Sequence, residues 1–184
     1  MRAFQWRKRG YTGPRPQFIK KKVLEKYSIA KAQWVETGTY LGTTTKFLSA
    51  RAPQVYSLEP ETQLFERAKK RFRGSNVTLI NAPSESTFPE LLPSLKGDIN
   101  FWLDGHYSAG ATFLGEQISP ISEELSEIEN NLGQFAKVAI FIDDVRLFSD
   151  GDDGYPSLDT LVDFARKNKM QWSIENDIFI IRNF

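Results

Sequence analysis

Five acids in this 184-residue chain close apolar runs that read as β-strands: Glu36 ends "QWVE", Glu59 ends "QVYSLE", Asp104 ends "DINFWLD", and Asp143 with Asp144 ends "KVAIFIDD". Acids are poor strand residues, although one at a strand end is ordinary because turns favour Asp. Carboxylates at the ends of most strands of one sheet repel each other unless they hold something cationic or rich in hydrogen-bond donors. Unrelated turn residues are the alternative. The only histidine, His106, stands two residues beyond Asp104. An imidazole titrating near ~6.5 suits a general base at neutrality; neighbouring acids raise that value and a bound cation lowers it. A ligand role, a substrate hydrogen bond and a plain structural role stay open for it.

The stretch "WVETGTYLGTTTKFL", residues 34–48, places Gly38 and Gly42 just after Glu36. Such glycines permit positive φ or the close approach of a ligand to bare backbone. The spacing is not the G-x-G-x-x-G of a dinucleotide fold and lacks the lysine of a P-loop. Glu36 itself would repel phosphate, so a cationic or hydroxyl-rich ligand fits better. Glu59 stands 23 residues after Glu36, where an acid in a nucleotide-binding βαβ unit accepts the ribose hydroxyls.

The elements that must position these groups alternate. Short apolar runs at 33–37, 54–59, 76–82, 98–104 and 137–143 read as strands, and periodic segments at 43–52, 61–72, 84–95, 119–132 and 157–168 read as helices. A preceding helix is read in "PQFIKKKVLEKYSIAKA", with Phe18, Ile19, Val23, Leu24 and Tyr27 at helical spacing. Asn176-Asp177 marks a tight turn in a final hairpin. This alternation demands an α/β fold: a mostly parallel sheet with helices on both faces, closed by an antiparallel strand. Its ligands bind beyond the carboxyl ends of the strands, where the acids lie. Trp34, Phe101, Trp102, Phe141 and Ile142 read as core.

Composition limits the chemistry. There are no cysteines, which excludes disulfides and thiolate catalysis, and no apolar run approaches a membrane span. The first residues carry no apolar leader segment, so a cytoplasmic setting is the default expectation. Residues 1–14 read as an irregular basic arm and 15–184 as a single domain. Residues 1–31 hold ten Lys or Arg against one Glu, and the remainder 14 bases against 22 acids. That arm could attract nucleic acid, but no aromatic ladder accompanies it, and a solvated face is the simpler reading; nucleic acid is not the expected partner. "SDGDDGY", residues 149–155, lacks the closing Glu of an EF-hand and reads as an acidic turn.

"VETGTYLG" resembles the first motif of class I S-adenosylmethionine (SAM)-dependent methyltransferases, acid-x-G-x-x-x-G, and looks most like the metal-dependent O-methyltransferases of the catechol and macrocin type. From about residue 32 to 184 the order of elements is similar to that family's, which implies a three-layer Rossmann-like fold with a seven-stranded sheet. The resemblance implies that Glu36, Gly38, Thr39, Tyr40, Gly42 and Thr43 bind SAM. It likewise implies Glu59 on the ribose, Ala82, Pro83 and Ser84 by the adenine, and Asp104 near the reacting end. It further implies that Asp104, Asp143 and Asp144 hold a divalent cation, for which three carboxylates suit Mg²⁺ or Ca²⁺, with His106 and Asp104 as the catalytic groups. The alternative for the pair after the fifth strand is a turn cap at Asp143 and a salt bridge from Asp144 to Arg146. The expected acceptor is a hydroxylated small molecule, a sugar among the candidates.

The chain departs from the pattern in places. No catechol-type lysine follows Asp104, and the N-terminal part that usually caps the substrate is short. The segment "GHYSAGATFLGEQ" is either a replacement lid or a plain loop, and its Glu116 either touches the ligand or is solvated. A neighbouring subunit in a homo-oligomer is another way to complete the cap. Two further readings stand beside the enzyme: a methyltransferase-like module that binds without transferring methyl, and a nucleic-acid methyltransferase, although the N/DPPY tetrapeptide of amino methyltransferases is missing.

Overall fold

The computed structural model describes residues 3–10, 13–104, 119–148 and 155–184. Seven helices and seven strands run in the order α1 (Ala3–Lys8), α2 (Gln17–Tyr27), β1 (Gln33–Thr37), α3 (Thr43–Ser49), β2 (Val55–Leu58), α4 (Thr62–Arg71), β3 (Val77–Ile80), α5 (Ser84–Leu91), β4 (Gly97–Leu103), α6 (Ile121–Asn131), β5 (Phe135–Ile142), α7 (Leu158–Lys167), β6 (Gln171–Glu175) and β7 (Ile178–Arg182) among the described residues. The sheet order is β3-β2-β1-β4-β5-β7-β6. β1 to β5 pair in parallel, and β7 enters antiparallel between β5 and β6. The hairpin turn is at Asn176 and Asp177, both with positive φ, the geometry that matches the twist of the paired strands.

Each strand sends alternate side chains to opposite faces, and two cores result. Val35, Phe101, Leu103, Ile140 and Ile142 pack with Phe88 of α5, Leu125 and Ile128 of α6 and Leu161 of α7. Trp34, Trp102 and Phe141 pack on the other face with Val23 and Leu24 of α2 and Leu48 of α3. The three-layer α/β architecture expected from alternation is therefore the one present. Among the described residues, no helix is long and apolar enough to cross a membrane.

Three local differences from the sequence reading have physical causes. The arm is not irregular throughout: residues 3–8 form α1, with Arg7 and Lys8 in its last turn, where cations suit the negative end of the helix dipole. Lys8 also lies over the Phe4 ring, and Arg15 over Trp6. Helix α5 continues through Pro89 and tightens to a 3₁₀ turn only at Leu92–Ser94. Further such turns are Leu132–Gln134, before β5, and Val145–Phe148, after it; the latter begins after Asp144, whose φ of 56° reverses the chain.

Strand order reverses between β1 and β4, so the crevice of this sheet opens there. Glu36 is in register with Ser57 of β2 and Trp102 of β4. Asp104 follows the last residue of β4, and Asp143 follows β5 with its N–H bonded to the Leu103 carbonyl at 3.0 Å. The acids read from the sequence thus reach one edge.

Candidate functional site at the reversal of strand order

The turn after β1 is held from below. Glu36 is fully buried, and its Oε2 accepts from Thr45 Oγ1 and Ser57 Oγ, each at 2.6 Å. Thr39 is buried as well and bonds Ser57 Oγ at 2.6 Å, so its hydroxyl faces the interior. Glu36 Oε1 and the neighbouring Thr37 Oγ1 are buried without a partner. Burial pushes the Glu36 carboxyl up to about 8; the Ser57 and Thr45 hydroxyls pull against that, and Asp104 and Glu59 add to it.

Glu59 bridges two turns. One oxygen accepts from the Tyr40 N–H at 2.7 Å and the other from the Glu61 N–H at 3.1 Å, and burial raises its carboxyl despite both bonds. Tyr40 is half exposed with φ of 47°, and Gly38 has φ of 82°. Gly42 is needed for two reasons other than a ligand: its φ is +68°, and a Cβ there would lie 2.7 Å from the Phe72 ring. Thr43 opens α3 at the surface. Ala82 and Pro83 are half-buried, and Ser84 is buried at the start of α5.

Asp104, Asp143 and Asp144 converge: one carboxylate oxygen from each lies within 4.8 Å of the others. Asp104 is half-buried and the other two are buried. They line a small cleft with Ser119, Phe148 and Tyr155. Asp143 Oδ1 and Ser119 Oγ are buried without partners. Asp144 also makes the salt bridge of the alternative reading, 2.7 Å to Arg146, which in turn reaches Asp177. An all-oxygen set with an orphaned buried carboxylate oxygen fits a hard divalent cation.

The residue missed by sequence reasoning is Lys20. It is buried, its ammonium pairs with Asp143 Oδ2, and it lies 3.5 Å from Asp144 Oδ1. Burial lowers the ammonium's pKa, but Asp143, Asp104 and Asp144 outweigh it and the net shift is upward. Burial and Asp104 push the Asp143 carboxyl up while Lys20 pulls it down; with the ammonium in contact, the charged pair is the state we assign. A signal existed: Lys20 falls three and four residues before Val23 and Leu24, on the apolar stripe of α2. Phe18, which the spacing placed in that stripe, is 48% exposed.

A second overlooked acid is Glu124 of α6, 1% exposed. Burial raises its carboxyl to about 7; the Ser84 and Thr37 hydroxyls pull it back, yet neither oxygen is in hydrogen-bonding geometry with a partner. His106, Glu116, the "GHYSAGATFLGEQ" segment and the acidic turn up to Gly154 lie outside the described residues.

Solved structures similar in fold include several methyltransferases. A candidate methyltransferase of Streptococcus mutans, solved in complex with SAH, superposes with a TM-score of 0.56 at 16% identity, covering 93% of this chain and 98% of its own. An rRNA methylase of Streptococcus thermophilus gives 0.53 at 16% identity, covering 93% and 97%. An N-methyltransferase of Bradyrhizobium japonicum gives 0.55 at 13% identity, covering 89% and 92%. The fold is that of the class I methyltransferases. At these identities the likeness extends to fold alone. No family profile and no curated protein matches the sequence.

Proposed function

We propose that the chain is a SAM-dependent O-methyltransferase acting on a hydroxylated small molecule, with Mg²⁺ or Ca²⁺ at Asp104, Asp143 and Asp144. The observation that carries this reading is the convergence of those three carboxylates within 4.8 Å at the strand-order reversal that also gathers Glu36 and Glu59. Similar structures that are methyltransferases, one holding SAH, support the cofactor.

In this reading Glu59, already an acceptor of the Tyr40 and Glu61 N–H groups, turns its remaining lone pairs to the ribose hydroxyls. Thr37 Oγ1 and Glu36 Oε1 are the unfilled polar positions beneath the nucleoside, with Ala82, Pro83 and Ser84 beside the base. The Phe148 and Tyr155 rings, packed edge to face at 5.3 Å, wall the cleft on the acceptor side. When bound, a divalent cation lowers the pKa of an acceptor hydroxyl and orients it. Transfer breaks the sulfonium S–CH₃ bond as the acceptor oxygen forms the new C–O bond, and the hydroxyl proton passes to a base, the role assigned to His106. The remaining demand is alignment, which rigid strand ends meet.

Labelled SAM offered with panels of sugars and phenols, with Mg²⁺ or EDTA, tests the reading. Label in an O-methyl product, lost with EDTA, supports it. SAH binding without transfer to any acceptor would leave the non-catalytic module. A second reading, methylation of RNA, is favoured by the rRNA methylase among the similar structures. The acids of the cleft oppose it, and the cations of α2 are partly spent: Lys20 is on Asp143, and Lys26 is 2.8 Å from Glu175.

A further inference from the structure

We propose that the Lys20 ammonium is a tethered cation that competes with a divalent ion for Asp143 and Asp144, so that loading the ion expels the lysine from the carboxylates. This rests on the divalent reading of the acid trio. The lysine occupies the position such an ion needs: it pairs with Asp143 Oδ2 and lies 3.5 Å from Asp144 Oδ1, with its side chain 8% exposed. Two cations at contact distance on the same carboxylates repel strongly where water is scarce. The lysine does not satisfy the cleft, because Asp143 Oδ1 and Ser119 Oγ remain buried without partners. An ion entering on those atoms has ligands ready on its first contact and displaces the ammonium as it takes Oδ2. Lysine suits such a latch, being a strongly hydrated point charge on a flexible stem rather than a fixed fork.

Calorimetric titration of Mg²⁺ into the full chain and its Lys20→Met variant tests this. The variant should bind Mg²⁺ about tenfold more tightly. Equal or weaker binding by the variant overturns the competition and leaves the ion reading intact; no binding by either protein overturns both. A second arm needs only the parent protein and covers a variant that fails to fold. Acylation of Lys20, mapped by mass spectrometry, should rise about tenfold with saturating Mg²⁺ while Lys26 stays constant. Unchanged Lys20 labelling under Mg²⁺ that shifts the melting temperature overturns the displacement.

Discussion

Burial holds the Glu36 carboxyl at about 8 against an ordinary value of 4.5, and the sign of the consequence follows from proton counting. Between those pH values the folded protein binds a proton at Glu36 that the unfolded chain has released, so stability falls as pH rises through that window. Glu124, at about 7, acts in the same direction over a narrower range. The melting temperature of the ligand-free protein should drop by about 10–20 °C from pH 5 to 8. Glu36→Gln should remove most of that slope; an unchanged slope in the variant would show that the carboxyl titrates normally. Glu59 makes a different prediction. Its ribose contact is worth the energy of charge-assisted hydrogen bonds, so Glu59→Ala should weaken SAH binding about 10- to 100-fold by calorimetry. Parent-like affinity would remove Glu59 from the cofactor site.

Helix α2 carries Lys20 to the acids, and its exit is fastened by one side chain. Asn100, fully buried in β4, accepts from the Ile29 N–H at 2.9 Å and donates to the Ile29 carbonyl at 3.0 Å. Its other end meets α3 through Thr44 Oγ1 and Gln17 at 3.3 Å. Asn100→Ala leaves a buried N–H and C=O unpaired, and should cost about 3 kcal/mol in urea denaturation. Faster amide exchange should follow in residues 17–32 rather than in β4; exchange spread evenly over the sheet would argue against a local clamp. This helix also shows how far the sequence could be read. Strands and helices followed from periodicity because each answers to its own residues and one core face. Asp104, Asp143 and Asp144 were found because strand ends obey a topological rule. Lys20 was not, because its value as a cation depends on a partner 123 residues away, and three consecutive lysines look like a solvated face. Gly42 was read as allowing positive φ or the approach of a ligand; its φ of +68° bears out the first, and the Phe72 ring that follows α4 fills the space of the second.

At the scale of the whole molecule, several unpaired buried polar atoms gather in one region, although Trp102 Nε1 lies in the core on the α2 side. Glu36 Oε1, Thr37 Oγ1, Ser119 Oγ, Asp143 Oδ1 and both Glu124 oxygens come from β1, α6 and the segments bordering β5 and α6. Native interiors hold few such atoms, because each costs desolvation without a bond in return. Their concentration near one edge of the sheet leaves desolvated groups there that a ligand can satisfy. A ligand that bonds them therefore stabilises the fold beyond its local contacts. By linkage alone, SAH at about 100 times its dissociation constant adds about 2.7 kcal/mol, or about 5–10 °C for a chain of this size. Mg²⁺ should add a separate shift that Asp143→Asn abolishes while leaving the SAH shift in place, since Glu59 and the β1 turn do not involve Asp143. A chain whose melting temperature ignores millimolar SAH but responds to Mg²⁺ would have a cation site without a methyl donor, and the enzymatic reading would fall while the fold stood.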